Sequence, residues 1–245
     1  MKIHIVSDLH LKNNANITIS KIENCNTIIL NGDIGNLYNS YYSDLYNFLK
    51  TLCGQYKHVL YIPGNHEYYT VNNCFPETLN ILTRRLKRLA VIFKNLFVLD
   101  RSYVIINGVC IAGCTLWSDL KIEIPPFFKI HGITTEIYKN MFKRDVKFIK
   151  GIINKCKRKN IKLIMATHYP PSYQLYDDNF FHDNYKSLYY SNLEYLINKK
   201  NIHTWIYGHT HKNKQLTING TNVVCNQKGH HPINNDFDEK YFIEI

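Results

Sequence analysis

Long apolar runs are missing from this sequence of 245 residues. No uninterrupted stretch approaches the roughly 20 residues that a membrane-spanning helix needs, so we expect no membrane partner. The first ten residues, MKIHIVSDLH, also lack the apolar core of a signal peptide, because Asp8 and His10 interrupt it. The seven cysteines are scattered and form no CxxC pair, which indicates reduced, mostly packed thiols. A cytoplasmic location is therefore expected.

Acidic residues are scarce, since 19 Asp and Glu face 30 Lys and Arg, for a formal net charge of +11. Positive charge favours acidic partners such as nucleic acid or phosphorylated substrates, through long-range attraction and counterion release. A chain rich in Lys, Asn, Ile and Tyr, as an AT-rich coding sequence produces, would carry the same charge without such a partner. The apolar fraction of 45% is ordinary for a globular protein, so disorder is not expected.

Short apolar runs alternate with longer amphipathic stretches, which predicts strands alternating with helices. The predicted strands are Ile3–Ser7, Thr27–Leu30, His58–Ile62, Leu163–Thr167 and Thr204–Tyr207, and the predicted helices are Ser40–Cys53, Pro76–Phe93, Glu136–Lys157 and Ser187–Lys199. Asn107-Gly108 and Asn219-Gly220 each signal a hairpin. Together these features indicate one α/β domain over residues 1–245, with two packed sheets and the helices outside.

Five polar clusters follow the apolar runs in chain order: Asp8-Leu9-His10, Gly32-Asp33, Gly64-Asn65-His66-Glu67, His168 and Gly208-His209-Thr210-His211. Open α/β sheets usually place their chemistry at such carboxyl ends of strands. The clusters offer carboxylate, imidazole and amide groups without a thiolate, which is a ligand set for one or two divalent metals such as Mn, Fe or Zn. The i, i+2 spacing lets paired side chains leave a strand end on the same side, and the glycines permit tight turns.

The ordered set DxH, GD, GNH[DE], H, GHxH resembles the calcineurin-like metallophosphoesterase superfamily, and here it spans positions 8 to 211. Two further stretches, Thr115–Asp119 (TLWSD) and Gly220–His230 (GTNVVCNQKGH), are similar to segments of small bacterial-type members. The resemblance implies a four-layer α/β/β/α sandwich with two mixed β-sheets and a metal site at the carboxyl ends of the strands.

The resemblance also implies a role for each motif residue. The first metal would be held by Asp8, His10, Asp33 and His211, and the second by Asp33, Asn65, His168 and His209. The shared carboxylate of Asp33 would place two divalent ions, Mn before Fe or Zn, on either side of a hydroxide that attacks the phosphorus of a phosphate mono- or diester. His66 would lie beside the site as the second catalytic residue, and Glu67 would orient the loop or a ligand.

One position departs from the family pattern. Many relatives carry GDxxD, whose second Asp orients the histidine of GNH, whereas this chain has Asn36 there. We expect Asn36 to hold the imidazole of His66 by a hydrogen bond without stabilising its charged form, which predicts a lower pKa for His66 and a preference for good leaving groups. The change also disfavours the protein Ser/Thr phosphatases, because the DRG sequence is lost.

Other features are expected to be structural or to surround the site. The Arg and Lys residues of Thr83–Arg88 fall on the polar face of an amphipathic helix, with a nucleic-acid contact as the alternative. Tyr169–Tyr190 is predicted to be a substrate-selecting loop, and the stretch from Trp117 to Phe128 the opposite wall of the cleft. The remaining histidines lack motif partners: His4, His58, His131, His182, His203, His230 and His231.

Three functions stay open at the level of the sequence. The leading interpretation is a metal-dependent phosphatase or phosphodiesterase acting on a phosphorylated small molecule or nucleotide. The second function is a nuclease with the same chemistry, which the positive net charge favours. The third is a non-catalytic interaction module on the same fold. The physiological substrate, the native metals and the oligomeric state do not follow from the sequence.

Overall fold

The protein was analysed as a computed structural model, which describes residues 1–11, 17–38, 42–70, 77–176, 183–229 and 236–245. Its strands are Lys2–Val6 (β1), Thr27–Asn31 (β2), His58–Ile62 (β3), Leu96–Val98 (β4), Ser102–Ile106 (β5), Val109–Cys114 (β6), Lys162–Thr167 (β7), Thr204–Ile206 (β8), Leu216–Ile218 (β9), Thr221–Val224 (β10) and Phe242–Glu244 (β11). Its α-helices are Tyr42–Gln55 (α1), Leu79–Ile92 (α2) and Thr135–Lys159 (α3).

The strands form two mixed sheets. The first has the order β11-β1-β2-β3-β4, in which β1 to β4 run parallel and β11 pairs antiparallel with β1. The second has the order β5-β6-β7-β8-β10-β9, with antiparallel strands at both edges. The parallel strands of each sheet therefore present their carboxyl ends along one edge, where the predicted site residues follow.

The two sheets pack face to face, and the helices cover their outer faces. Ile3 and Ile5 of β1 and Ile164 of β7 belong to one buried cluster between the sheets. Their neighbours, such as Val6 and Met165, belong to the other cluster, which lies beneath the helices. Helix α1 contacts β3, α2 contacts β4, and α3 contacts β6 and β7. Successive side chains of a strand point to opposite faces of its sheet, and here both faces are buried. The predicted α/β/β/α sandwich with two mixed sheets is confirmed.

Three of the four predicted helices are confirmed within a few residues of their predicted ends. The fourth, Ser187–Lys199, is wrong, because the chain there forms only short 3₁₀ turns at Asp183–Leu188 and Glu194–Leu196. Between those turns the N–H groups of Ser191 and Leu193 donate to the carbonyls of Pro170 and Pro171. These tertiary hydrogen bonds replace the bonds that a helix would have needed.

Both predicted hairpins are confirmed, at the turns between β5 and β6 and between β9 and β10. Asn107 and Gly108 have φ angles of 50° and 78°, and Asn219 and Gly220 have 48° and 78°. Positive φ at both central residues is the type I′ geometry, whose twist matches the flanking strands. Along the stretches that the structure covers, no helix is long and apolar enough to cross a bilayer.

Candidate metal centre

The two sheets bring the predicted site residues to one shared edge. Asp8 and His10 follow β1, Asp33 follows β2 and Asn65 follows β3, all in the first sheet. His168 follows β7, and His209 and His211 follow β8, in the second sheet. The N–H of Gly208 donates to the His168 carbonyl over 2.8 Å, which joins the ends of β7 and β8 directly.

A first group of potential ligands consists of Asp8, His10, Asp33 and His211, whose donor atoms all lie within 4.8 Å of one another. The Nε2 atoms of His10 and His211 are 2.9 Å apart, and His211 Nε2 lies 3.4 Å from Asp8 Oδ1. Asp8 and Asp33 are buried. Two imidazole nitrogens converging with two carboxylates form an arrangement that a divalent cation would hold together.

A second group consists of Asp33, His168 and His209, again with donor atoms within 4.8 Å of one another. Asn65 Oδ1 lies 3.1 Å from His168 Nε2, which adds an amide oxygen to this group. Asp33 belongs to both groups. The structure therefore brings together all seven residues predicted as ligands, in the two sets that the family resemblance implies.

The hydrogen bonds of the second group fit a cation. His168 Nδ1 donates to the Asn31 carbonyl over 3.1 Å, which leaves Nε2 facing Asp33 Oδ2, 3.3 Å away, and Asn65 Oδ1. Asp33 Oδ2 is buried and has no hydrogen-bond partner within the described ranges. Two oxygen acceptors and this nitrogen face one another across a buried space, which is favourable when a positive charge, a proton on Nε2 or a metal cation, lies between them.

The charges of the protein without a metal also favour a positive charge at this site. Burial disfavours the charged imidazole of His168, but the surrounding carboxylates, Asp33 above all, together outweigh this and raise the pKa of His168 to about 9. Burial alone would raise the pKa of Asp33, yet the His168 and His66 imidazoles hold it well below its ordinary value. Asp33 is therefore ionised, as a carboxylate ligand of a metal must be.

Left-handed backbone aims the ligands. Positive φ angles occur at five of the seven positions, namely Asp8 (55°), His10 (44°), Asp33 (53°), His209 (74°) and His211 (54°). Such conformations cost roughly 1 kcal/mol or more per non-glycine residue. Hydrogen bonds hold the turns in place: the N–H of Asp8 donates to Gly32 O and that of His10 to Asp33 O, each over 2.9 Å. Asp8 and His10 thus meet through successive left-handed turns, and the explanation from strand alternation was wrong.

The motif glycines make room for the ligands. A Cβ on Gly64 would lie 2.2 Å from Asp33 Oδ1, and one on Gly208 would lie 2.8 Å from Asp8 Oδ2. Gly32 has φ +87°, and its added Cβ would lie 2.3 Å from His168 Nδ1. Of these three glycines, Gly32 alone is required by its backbone angle. The other two are required by close approach.

Glu67 organises the loop that carries Asp33. This buried carboxylate accepts hydrogen bonds from the N–H groups of Asp33 (3.0 Å), Ile34 (2.8 Å) and Gly64 (2.6 Å) and from the Tyr61 hydroxyl (2.7 Å). Burial and the neighbouring Asp33 charge raise the pKa of Glu67 to about 7. The predicted orienting role is confirmed, since Glu67 joins the loops after β2 and β3.

His66 lies beside the two groups with 36% of its side chain exposed. Its Nε2 is 3.9 Å from Asp33 Oδ2, and its ring stacks on Tyr69 with centroids 4.3 Å apart. The expected hydrogen bond from Asn36 to the imidazole is wrong. The Asn36 amide donates to the carbonyls of His66 (3.0 Å) and Tyr69 (2.7 Å) and accepts from Tyr38 N–H, so it fixes the backbone and not the ring.

Two residues outside the predicted ligand set support the second sheet's histidines. Gln227 accepts from the His211 N–H (2.8 Å) and donates to the Lys212 carbonyl (2.8 Å). The buried Tyr169 ring packs on His209 with centroids 3.9 Å apart. Gln227 lies within Gly220–His230 and Tyr169 directly follows His168, but no sequence signal revealed these contacts.

The expected cleft walls have mixed outcomes. Trp117 is buried, with its ring packed against Tyr138 and Tyr169, so this residue does not line the cleft, and the rest of the stretch to Phe128 stays a prediction. From the predicted substrate loop, Tyr189 lies 5.4 Å from His209 between ring centroids, and His209 Nε2 lies 3.3 Å from the Leu188 carbonyl. Residues 177–182 of that loop, with His182, and His230 and His231 lie outside the described residues.

The sandwich, with its carboxylate and imidazole cluster at the shared sheet edge, has the architecture of a metallophosphoesterase. A model of the calcineurin-like phosphoesterases matches residues 1–213, and the chain belongs to that family. An uncharacterised protein of Acanthamoeba polyphaga mimivirus is 26% identical over 242 aligned positions, covering 89% of this chain and 83% of the relative. The chain is a metal-dependent phosphoester hydrolase.

Two solved structures illustrate the fold. Phosphopantetheinyl hydrolase (PptH) of Mycobacterium tuberculosis superposes with a TM-score of 0.72 at 15% identity, covering 95% of this chain and 90% of that one. A 5′-nucleotidase precursor of Thermus thermophilus superposes with a TM-score of 0.52 at 13% identity, covering 93% of this chain and 48% of that one. At such identities the likeness extends to the fold alone.

Proposed function

We propose that the protein hydrolyses a phosphate mono- or diester at a centre of two divalent cations that share Asp33. The observation that carries the proposal is the position of this buried carboxylate in both ligand groups. Its Oδ1 accepts the His66 N–H over 2.8 Å, whereas Oδ2 has no hydrogen-bond partner within the described ranges. One oxygen is thus fixed by the chain, and the other is available to cations.

Each group supplies a ligand set for one cation. Asp8, His10, Asp33 and His211 would hold the first, and Asp33, Asn65, His168 and His209 the second. Mixed oxygen and nitrogen donors without sulfur favour Mn, Fe or Zn. Bound there, the cations would supply Lewis acidity towards phosphoryl oxygens and a nucleophile derived from water at neutral pH.

The remaining roles belong to side chains around the ligands. We assign to His66 the donation of a hydrogen bond to a phosphoryl oxygen or of a proton to the leaving group, because its imidazole is partly exposed directly beside Asp33. Glu67 and Gln227 hold the Asp33 and His211 loops rigid, which keeps the site preorganised. We propose a phosphorylated small molecule or nucleotide as the substrate, a class to which the names of PptH and the 5′-nucleotidase also point.

The test compares the metal-stripped protein with protein reloaded with Mn²⁺, on an aryl phosphate monoester and on its bis-aryl diester. We expect two ions per chain by elemental analysis and hydrolysis that depends on them. Asp33→Asn should lose both, whereas Asp44→Asn on the exposed face of α1 should keep both. The ratio of diester to monoester turnover would identify a phosphodiesterase or a phosphatase.

Three results would contradict the proposal. One bound ion with full activity would contradict the shared role of Asp33. Two bound ions without hydrolysis of either ester would contradict activity on simple esters. Neither metal nor activity would favour the non-catalytic interaction module.

A further inference from the structure

The positive charge of the chain is concentrated on two helices, α2 and α3, of which α3 carries the larger share. Helix α3 carries nine Lys and Arg side chains and two acidic ones, a net charge of +7 within a chain of +11. Eight of the nine are exposed: Lys139, Lys143, Arg144, Lys147, Lys150, Lys157, Arg158 and Lys159. A drift in composition would spread lysines over the whole surface, so this concentration asks for a separate explanation.

The cations of α3 form a stripe along the helix axis. Lys139, Lys143, Lys147 and Lys150 follow one another at intervals of three or four residues and so occupy one face. With a rise of 1.5 Å per residue, successive charges lie about 4.5–6 Å apart along the helix axis. A line of cations at this spacing is complementary to a linear polyanion.

A groove runs between α3 and the edge strand β5, beside this stripe. Its volume is about 480 Å³, and Arg101, Tyr103, Arg144, Lys147 and Phe148 line it. The Lys155 ammonium lies over the Tyr103 ring, 4.4 Å from the centroid. A positively charged groove with aromatic rings in its walls is the combination used to bind single-stranded nucleic acid, in which cations contact phosphates and rings stack on bases.

The cationic side chains that line this groove differ in whether a carboxylate pairs with them. Arg101 donates to Asp145 Oδ1 over 2.8 Å and also pairs with Asp100, so its charge is neutralised. Arg144 and Lys147 have no carboxylate within ion-pair distance along the described parts of the chain. These two side chains therefore supply the unpaired charge, whereas Arg101 shapes the groove.

The groove starts at the same sheet edge as the metal centre. Strand β5 runs antiparallel to β6, with Ser102 opposite Gly113, so the start of β5 lies at the carboxyl end of β6. Helix α3 begins after β6 and ends before β7, with Arg144 in its first half and Lys147 at its midpoint. A strand bound along this groove would extend towards the site edge.

We infer that the groove between α3 and β5 binds single-stranded nucleic acid without sequence preference. Arg144 and Lys147 contact phosphates, and Tyr103 and Phe148 stack on unpaired bases. A flat anionic membrane would meet the exposed lysines but not rings recessed between a helix and a strand, and a duplex keeps its bases stacked on each other. Binding at this groove does not depend on whether the metal centre hydrolyses the bound strand.

The test measures binding of a labelled oligonucleotide of about 16 nucleotides by fluorescence anisotropy. The full chain carries Asp33→Asn in every sample, so hydrolysis cannot interfere. Arg144→Gln with Lys147→Gln should weaken binding roughly tenfold at 0.15 M salt and lower the slope of log K against log salt by about 1.4, for two lost phosphate contacts. The matched control, Lys87→Gln with Arg88→Gln on exposed α2, removes the same charge and should change the Kd less than twofold.

Stacking is tested separately from charge. Tyr103→Leu should weaken binding about fivefold or more, whereas Tyr103→Phe keeps the ring and should bind as the parent does. Circular dichroism of each variant verifies that the helix content is retained. Equal losses in the groove and α2 variants would overturn the inference, as would equal binding of a duplex of the same length. Binding to vesicles rich in anionic lipid without binding to oligonucleotides would mean that the groove binds a membrane surface and not nucleic acid.

Discussion

Two buried carboxylates, Asp33 and Asp145, show opposite ways of placing a charge inside this protein. Asp145 is fully buried on α3, and the chain satisfies it: Oδ1 accepts from Arg101 over 2.8 Å and Oδ2 accepts from the Trp117 N–H over 3.2 Å. Asp33 is equally buried, but its Oδ2 faces potential ligand atoms and, across the described chain, accepts no hydrogen bond.

The difference separates a structural charge from a functional one. A carboxylate whose partners all come from the chain stabilises the fold or leaves it unaffected, with or without a metal. A carboxylate that faces imidazole nitrogens and an amide oxygen is complete only when a positive charge, a proton on an imidazole or a metal cation, lies beside it. Activity and metal dependence should therefore change at Asp33, and stability should change at Asp145.

The largest effect is expected for Asp33→Asn. Asn keeps the acceptor for the His66 N–H and offers a donor towards His168 Nε2, so the metal-free fold should survive. The loss of the shared anion should lower kcat/KM about a thousandfold, the upper range for losing one electrostatic group of a catalytic site. Circular dichroism with EDTA should show a folded variant, and urea unfolding should show no more than the loss of the Asp33–His168 attraction that raises the pKa of His168. An active Asp33→Asn variant would end the distinction between the two carboxylates.

Asp145→Asn should show the reverse pattern. Removing the charge leaves Arg101 with Asp100 alone, and breaking a buried pair costs about 3 kcal/mol. The unfolding free energy should fall by this amount equally with Mn²⁺ and with EDTA, while hydrolysis by the folded fraction persists. A loss of stability seen only with Mn²⁺ would place Asp145 within the metal centre.

The sequence predicts the functional role of Asp33 but not the structural role of Asp145. Motif residues are contiguous or closely spaced and follow strand ends, so Gly32-Asp33 and Gly208–His211 reveal chemistry before any contact is known. Asp145 pairs with Arg101 across 44 residues, and Gln227 holds His211 across 16, with no periodicity or motif linking either pair. The failed helix Ser187–Lys199 has the same cause, since distant prolines accept its N–H groups.

Glu67→Gln sharpens the comparison, because Glu67 acts on Asp33 only through the backbone. An amide retains one acceptor oxygen and turns its NH₂ towards the N–H groups of either Asp33 and Gly64 or Ile34, so at least one donor is left unsatisfied. We expect Mn²⁺ affinity to fall about 10- to 100-fold, as for other groups that orient metal ligands, with kcat restored at saturating metal. A titration of activity against free Mn²⁺ measures both quantities. A kcat that stays low at saturation would mean that Glu67 also acts on the substrate.

His4 is a buried titratable group on β1, away from the ligands. Its substitution should give the smallest of the predicted effects. Its Nδ1 lies 2.7 Å from the Tyr56 hydroxyl, and burial lowers the pKa of His4 from 6.5 to about 4. Between these values the unfolded chain binds a proton that the folded chain does not, so stability is present above pH 6.5 and is lost as the pH falls towards 4.

From pH 7 to pH 5.5 this loss amounts to about 1 kcal/mol of unfolding free energy. His4→Gln should remove that part of the pH dependence, while His131→Gln at an exposed position should leave it unchanged. Urea unfolding at both pH values in EDTA measures the difference without any contribution from bound metal. If His4→Gln and wild type lose equal stability, burial does not hold His4 neutral, and the chain tolerates a buried charge at this position as well.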